Sequence, residues 1–165
     1  MDDPDFAGKV IEDFVKPIYL SVQMKGPLDP DQARTVSQLA RQASVEEVLW
    51  MLGTHWRPRR VGAWFTPAHP ESELDQALLQ SLRTSLGYLT APDLGFAAAR
   101  RLGTDALPAL HEYQSIALRQ NFGGLSVITA VIESLGGTSP ISPSTDRDRE
   151  SLWNMGTWAD FIEKA

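Results

Sequence analysis

The sequence predicts an all-α protein in which antiparallel helix pairs stack as a short α-solenoid. Apolar residues recur at helical spacing, and helix start and stop signals bracket the apolar runs. Pro58 and Pro92 lie 34 positions apart, and each is preceded by one short helical pattern and followed by another, a spacing typical of helix-pair repeats. The three predicted pairs are Ser44 to Leu52 with Arg57 to Phe65, Glu71 to Leu86 with Pro92 to Leu102, and Asp105 to Gln120 with Leu125 to Leu135.

Composition favours one ordinary globular domain. The 165 residues are 42% hydrophobic and 22% charged, so the chain can bury a core of its own. The absence of cysteine excludes disulfides and thiolate chemistry and favours the cytoplasm. An acidic N-terminus without an apolar run argues against a signal peptide, and we find no stretch apolar enough to cross a membrane.

Two helix starts are marked by side-chain caps. Ser44 can accept a hydrogen bond from the backbone amide of Glu47, whose carboxylate can reach back to the Ser44 amide. Helical spacing then continues to Gly53, which supplies a left-handed stop. Asp29, followed by Pro30 at the first helical position, predicts a second capping box. The helix that follows has a narrow buried stripe of mostly small residues: Ala33, Val36, Ala40 and Ala43.

Further helices follow from apolar periodicity. Leucines recur every fourth position at 74, 78, 82 and 86. Thr104 and Asp105 are expected to cap the helix predicted to end at Gln120. The segment from Leu125 to Leu135 is apolar on almost every side. Apolar residues at 6, 10, 14, 18 and 22 predict an N-terminal helix that Pro17 kinks. Thr138 to Arg149 has no period and predicts a loop, followed by a short helix from Trp158 to Ile162.

These elements predict one helical-repeat domain over residues 1–165. Residues 1–43 form N-terminal capping helices, 44–137 the three helix pairs, 138–150 a loop and 151–165 a C-terminal capping helix. Terminal elements of this kind are expected because a stack of helix pairs must cover its outermost apolar faces.

The sequence also resembles a known family. The segments that carry the resemblance are Trp56-Arg57-x-Arg59-x-x-x-Ala63-Trp64, Phe14 to Leu20, and the Ala-Ala-Arg-Arg-Leu-Gly run that ends at Gly103. In these segments the chain resembles the bacterial domain-of-unknown-function family 6000, over about Phe14 to Gly137. The resemblance implies short HEAT-like helical repeats, and it implies no activity that can be assigned to a residue.

The most chemically suggestive segment is His55 to Phe65. Arg57, Arg59 and Arg60 beside Trp56 and Trp64 could bind an anionic or aromatic partner through bidentate and cation-π contacts. The alternative interpretation is structural: the tryptophan at position 64 packs in the core, Trp56 covers the helix start, and the arginines pair with neighbouring acids. Helical spacing places the stems of Arg57 and Arg60 against the ring of Trp64. We therefore favour the structural interpretation of this segment.

Other polar residues give weaker signals. Glu112 lies on a predicted helix whose polar side could line a binding surface. The histidines at 55, 69 and 111 have no spacing typical of a metal site, so we expect loop or surface histidines, no metal and no cofactor. The sequence contains no nucleophile elbow and no phosphate-binding glycine loop, which argues against an enzyme.

We therefore expect a cytoplasmic protein-binding module, of the type represented by immunity proteins that bind and neutralise a partner toxin. The formal charge of −6 would steer association with a basic partner, and it argues against general nucleic-acid binding. The alternative is a HEAT-like nucleic-acid-binding or DNA-glycosylase-type enzyme, in which the tryptophans stack a base and the arginines hold phosphate.

Overall fold

The computed structural model describes residues 3–85, 87 and 89–165. These residues form α-helices joined by turns and include no β-strand, which confirms the all-α prediction. The helices are α1 (Pro4–Val10), α2 (Pro30–Gln42), α3 (Val45–Gly53), α4 (Trp56–Phe65), α5 (Glu73–Arg83), α6 (Ala91–Leu102), α7 (Leu107–Gln120), α8 (Leu125–Ser134) and α9 (Asp146–Lys164).

The two predicted side-chain caps begin α2 and α3. The Glu47 amide lies 3.2 Å from the Ser44 hydroxyl, and the Ser44 amide lies 2.8 Å from the Glu47 carboxylate, so this capping box is complete. The Asp29 carboxylate accepts hydrogen bonds from the amides of Asp31 and Gln32 at 2.9 and 3.1 Å, which is one half of the predicted box; the described contacts include no return bond from the Gln32 side chain to the Asp29 amide. Both helix starts therefore follow from local sequence.

The N-terminal helix is shorter than predicted. α1 ends at Val10 and continues as one π-helical segment, Ile11–Val15, closed by the Lys16 amide on the Ile11 carbonyl at 2.9 Å. Turns replace the predicted continuation to Val22. Pro17 explains the end of the helix, because it has no amide hydrogen and its ring clashes with the preceding turn.

The C-terminal helix is longer than predicted. α9 begins at Asp146, within the segment that the sequence assigned to a loop, and runs to Lys164. A capping box between Thr145 and Asp148 starts it, with the Asp148 amide 3.2 Å from the Thr145 hydroxyl. The first turns of α9 are polar and solvent-facing, so they show no apolar period and the prediction missed them.

Two other boundaries also differ. α5 covers Glu73–Arg83, and Leu86, the last position of the predicted leucine stripe, lies outside the described residues. Thr104 does not cap α7, because a 3₁₀ turn over Gly103–Ala106 comes between them and α7 begins at Leu107.

The helices pack in two rows. α3 contacts α4, α5 contacts α6, and α7 contacts α8; α3, α5 and α7 also contact one another in succession, as do α4, α6 and α8. α9 packs on α8, on α2 and on the turn that follows α4. The largest fully buried side chains include Phe65, Met51, Leu74, Leu94, Leu110, Tyr113, Ile128 and Trp158.

α9 is fixed to the N-terminal half of the chain by polar contacts. The Trp158 indole nitrogen donates to the Gly26 carbonyl at 3.1 Å, and the Arg41 guanidinium donates to the Ile162 carbonyl at 3.1 Å. Trp158 and Ile162 are buried and Phe161 is half-buried, which confirms the predicted docking residues. Among the described residues, no helix has the length and apolar character needed to cross a bilayer.

Candidate functional site

The arginine- and tryptophan-rich segment forms α4, and its side chains point in different directions. The Arg57 guanidinium lies 4.2 Å from the ring centre of Trp56 and 5.4 Å from that of Tyr19. The two rings meet edge to face at 6.3 Å. Arg57 therefore packs on Trp56 and Tyr19, and not against Trp64 as helical spacing suggested.

The other two arginines of α4 bind backbone carbonyls. Arg59 is half-buried and its guanidinium lies 3.5 Å from the Ser81 carbonyl, and burial lowers its pKa. Arg60 donates to the carbonyls of Tyr19 and Val22, each at 3.3 Å. These contacts join α4 to α5 and to the N-terminal segment, so both arginines have structural partners.

Glu112, the fifth predicted site residue, belongs to a separate ion pair. Its carboxylate accepts a hydrogen bond from Arg83 at 2.8 Å, and both side chains are partly exposed. This pair joins α5 to α7 and involves none of the α4 residues. The predicted site is therefore not one constellation.

The most buried polar group of the α4–α6 contact is the carboxylate of Asp93. Trp64 is 3% exposed and its indole nitrogen donates to Asp93 Oδ1 at 2.9 Å. Asp93 itself is 2% exposed, and the Nε of Arg60 lies 3.5 Å from its Oδ2. Within the described part of the chain, Oδ2 accepts no hydrogen bond. Trp64 is thus a core anchor, as the structural interpretation predicted, and its polar partner is Asp93.

Burial raises the pKa of the Asp93 carboxyl. The charges of Arg60 and Lys25 and the hydrogen bond from Trp64 act in the opposite direction but do not outweigh the loss of water around the carboxylate. A buried acid with a raised pKa beside a cleft is a typical feature of binding and catalytic sites.

Sequence reasoning missed Asp93. The residue lies in the first turn of α6, where an acidic side chain is ordinarily explained by the helix dipole. In the structure no side chain caps this helix, and the Thr90 hydroxyl lies 2.7 Å from the Ser85 hydroxyl instead. Only the packing of α4 on α6 turns the carboxylate inward, so no local sequence signal identifies it.

Asp93 lines a polar cleft of about 710 Å³, which we call the Asp93 cleft. It lies between α4, the turn after α4, α6 and the end of α9. The side chains that bear on binding are Trp64, His69, Asp93, Phe96, Arg100 and Arg101, with Asp75 and Glu163 at its edge.

Arg101 forms one wall of the Asp93 cleft and has all of its groups engaged. Its Nε donates to Asp75 at 2.7 Å, and its two terminal nitrogens donate to the carbonyls of Thr66, His69 and Glu71 at 3.0, 2.6 and 3.0 Å. This guanidinium holds the connection between α4 and α5 against α6, and four hydrogen bonds to the protein involve all three of its nitrogens.

His69 also lines the Asp93 cleft. The ring is 8% exposed, and Nε2 lies 2.8 Å from the Ala40 carbonyl, so Nε2 carries the hydrogen. Nδ1 lies 3.7 Å from the Oε2 carboxylate oxygen of Glu71. His69 lies on a loop, as the sequence predicted, but it is buried rather than on the surface.

A second, mostly apolar cleft of about 680 Å³ lies between α6, α8 and α9. We call it the Trp153 cleft, and its principal side chains are Phe96, Arg100, Val131, Leu135, Leu152 and Trp153. Trp153 is 77% exposed at its rim. Arg100 donates to Asp160 at 2.8 Å and also to Glu163, and it forms part of the wall of both clefts, as does Phe96. The Arg100 bridge between α6 and α9 therefore lies where the two clefts meet.

The described residues contain no group of three or more histidine or acidic side chains placed to hold a metal ion. Comparison with protein-family models, curated protein sequences and solved structures gave no match to this chain. The described helices and cavities define the class of this chain as an all-helical protein with two adjoining clefts, one apolar and one polar. The resemblance to family 6000 stays a prediction.

Proposed function

We propose that this chain is a protein-binding module that engages its partner through the Trp153 cleft. The observation that carries the proposal is Trp153 itself, a large apolar side chain 77% exposed beside an apolar cleft of about 680 Å³. Tryptophan is among the residues that contribute most to protein interfaces, and an exposed apolar patch next to a cleft is typical of a binding surface.

The arrangement of the helices supports the same class of function. The contacts within and between the rows α3, α5, α7 and α4, α6, α8 follow the order of stacked helix pairs, and we propose that they form a short HEAT-like solenoid. Such stacks use one row of helices as a binding surface. Here α6 and α8 belong to one row and supply two walls of the Trp153 cleft.

The partner that fits this surface is a basic protein with an apolar side chain to insert. The chain carries a net charge of −6, and the exposed acid Glu150 precedes Trp153 by three positions on α9; Asp146 and Asp160, also exposed on α9, pair with Arg149 and Arg100. Complementary charge would accelerate association and make it sensitive to salt. A basic toxin neutralised by this chain is the specific partner class that we propose.

The nucleic-acid alternative has less support from the side chains on which it depended. Trp64 is 3% exposed and lies parallel to Phe96 with ring centres 5.9 Å apart, so its ring is not available to stack a base. Arg59 and Arg60 donate to backbone carbonyls rather than facing solvent as a phosphate-binding patch. We therefore do not propose it.

The test is affinity capture with matched variants. Wild-type protein, Trp153→Ala and Leu118→Ala are immobilised and exposed to lysate of the source organism; Leu118 is 51% exposed on α7 and lies outside the cleft. We expect a basic protein on wild type and on Leu118→Ala, reduced on Trp153→Ala and released by salt. Equal capture by Trp153→Ala, or no specific protein on wild type, would overturn the proposal.

The immunity-type version has a separate readout. The captured protein is assayed for the activity that it exerts on nucleic acid or on cell growth, with and without the wild-type chain. We expect inhibition by wild type and by Leu118→Ala, and weaker inhibition by Trp153→Ala. A captured partner whose activity does not change would exclude neutralisation while leaving binding in place.

A further inference from the structure

We propose that a pocket beside Arg59 binds a carboxylate that is attached to a compact apolar group. The pocket has a volume of about 360 Å³ and lies between the start of α4, the end of α5 and the turn before α6. We call it the Arg59 pocket, and the lining side chains that bear on binding are Trp56, Arg59, Thr84, Leu89 and Thr90. Among the described residues it shares no lining side chain with the Trp153 cleft, so the inference goes beyond the protein-binding proposal.

Arg59 is a half-buried cation without a counter-charge. Burial lowers its pKa, and no carboxylate of the described residues acts in the opposite direction. Arg100 is also partly buried, but two acids of α9 bind it and raise its pKa. The residues between α5 and α6 that the structure does not describe, Leu86 and Tyr88, contain no carboxylate. A partly buried charge without an opposite charge is unfavourable, so an anion brought by a ligand would be stabilised beside Arg59.

The terminal nitrogens of Arg59 are the donors that a ligand can use. Nη1 makes one long hydrogen bond, 3.5 Å from the Ser81 carbonyl, and Nη2 makes none within the described part of the chain. Nε is fully buried and has no partner there, so it is not the group that the ligand meets. A carboxylate can accept two parallel hydrogen bonds from a guanidinium, and such charge-assisted bonds are roughly twice as strong as neutral ones.

The start of α4 adds positive potential to the Arg59 pocket. α4 begins at Trp56, and its N-cap residue, His55, makes no capping hydrogen bond with its side chain. The positive end of the helix dipole therefore lies at this side of the pocket. The Arg57 guanidinium, 4.2 Å from the ring centre of Trp56, adds a further positive charge. The pocket thus favours an anion although the chain as a whole is acidic.

The rest of the Arg59 pocket fits an apolar group. Its accessible wall is mostly apolar, with Trp56 half-buried and Leu89 42% exposed at the rim. The hydroxyls of Thr84 and Thr90 are already bonded, to a carbonyl of α5 at 2.9 Å and to the Ser85 hydroxyl at 2.7 Å. The volume lies near the lower end of the range for small-molecule sites. These features favour a carboxylate with a compact apolar or aromatic group over inorganic phosphate, which needs more donors.

The experiment follows the indole N–H resonance of Trp56, which lines the pocket. The chain has five tryptophans, and Trp56→Phe identifies the signal. Wild type is titrated with phenylacetate, with phenylacetamide, which has no charge, and with acetate, which lacks the apolar group. We expect a saturable shift with phenylacetate and affinity at least about tenfold lower for the other two compounds. No saturable shift, or equal affinity for either of the other two, would overturn the inference.

Two substitutions test the role of the Arg59 charge. Arg59→Gln removes the charge and keeps a hydrogen-bond donor, and we expect affinity for phenylacetate at least about tenfold lower. Arg119→Gln removes the same charge from an exposed position on α7 and should bind as wild type does. Unchanged affinity in Arg59→Gln contradicts the proposal.

The exposed rim residue Leu89 keeps the proposal testable if Arg59→Gln is too unstable to titrate. Leu89→Glu places a negative charge at the rim and should weaken phenylacetate binding, because like charges repel. Leu89→Gln, matched in size and uncharged, should bind more tightly than Leu89→Glu. Equal affinity of these two variants would count against a site for an anion.

A tripeptide with a free carboxyl end, acetyl-Ala-Ala-Phe, identifies the source of the carboxylate. Tighter binding of the tripeptide than of phenylacetate indicates the C-terminus of a protein partner, and the reverse order indicates a free small molecule. The outcome is separable from the protein-binding proposal. If Trp153→Ala abolishes partner capture while phenylacetate does not bind, only the present inference fails.

Discussion

Trp64 and Asp93 meet in the interior of the protein, with the indole nitrogen 2.9 Å from Oδ1 of the carboxylate. The bond joins α4 to α6, and neither side chain is more than 3% exposed. It satisfies one oxygen of a buried acid, whereas the other, Oδ2, accepts no hydrogen bond from the described residues and lies 3.5 Å from the Nε of Arg60. The hydrogen bond between Trp64 and Asp93 thus contributes to stability and to the shape of the Asp93 cleft.

Replacing Trp64 with phenylalanine removes this donor and leaves a buried carboxylate oxygen without a hydrogen bond. Because an unsatisfied buried acceptor is costly, we expect the free energy of unfolding to fall by about 2 kcal/mol or more. Urea denaturation, monitored by circular dichroism, measures the free energy of unfolding. Trp153→Phe, at the exposed tryptophan, should change the value by less than about 0.5 kcal/mol. Equal effects of the two variants would show that the Trp64–Asp93 bond adds no stability.

The raised pKa of Asp93 makes the stability of the protein depend on pH in a defined direction. The folded protein holds this proton more tightly than the unfolded chain does. The contribution of the Asp93 proton to the free energy of unfolding is therefore fully present below about pH 4, the ordinary range of an aspartate pKa. This contribution is lost as the pH rises through the higher pKa of Asp93 in the folded protein. Relative to Asp93→Asn, wild type should become less stable over that interval.

Subtracting the two unfolding curves removes the contribution of the carboxyls whose pKa is lowered, which act in the opposite direction: Glu47, Glu133 and Asp148. A difference between wild type and Asp93→Asn that is constant from pH 3 to pH 8, or that grows as pH rises, would contradict the assigned direction.

Removing the capping box of α3 should lower the free energy of unfolding by a measurable amount. Ser44→Ala deletes the hydroxyl that accepts the Glu47 amide at 3.2 Å, and we expect a loss of about 1 kcal/mol. Ser115→Ala is the matched control, since Ser115 is exposed within α7 and its hydroxyl bonds only a carbonyl of its own helix. A loss in the control as large as in Ser44→Ala would argue against a role for the cap.

Two helical glycines should respond to alanine in opposite directions. A Cβ at Gly62 would lie 3.0 Å from the Cβ of Met51 on α3, so Gly62→Ala should destabilise the protein by about 1–2 kcal/mol despite its better helix propensity. A Cβ at Gly156 meets nothing within 4 Å, and Gly156→Ala should stabilise α9 by up to about 1 kcal/mol. Thermal unfolding measures both. The same sign for the two variants would contradict the close approach of α4 to α3.

The helices that begin at a side-chain N-cap were predictable from the sequence. Ser44 and Asp29 cap α3 and α2 as expected, because a cap needs only residues within one turn. The boundaries that failed depend on weaker local signals. α9 starts with polar turns that have no apolar period, and the N-terminal helical segment ends at Val15, before Pro17, although the apolar spacing continues beyond it.

The candidate sites were less predictable. Trp153 lies in a segment that the sequence assigned to a capping helix, and nothing in its neighbours indicates that it is 77% exposed. Asp93 has the sequence context of an ordinary first-turn acid. Arg57, Arg59 and Arg60 attracted attention because they are adjacent in sequence, but successive residues of a helix point in different directions, so adjacency does not make a site.

By itself, the sequence determined that this chain is helical, that it buries Trp64, and where several of its helices begin. These properties depend on residues within a few positions of each other. Only the tertiary structure decided that Asp93 turns inward, that Arg101 and Arg60 are occupied by backbone carbonyls, and that α9 lies beside α6 with a cleft on either side of Arg100. The reason is that burial and partner choice are set by residues that are distant in sequence, so no local pattern encodes them.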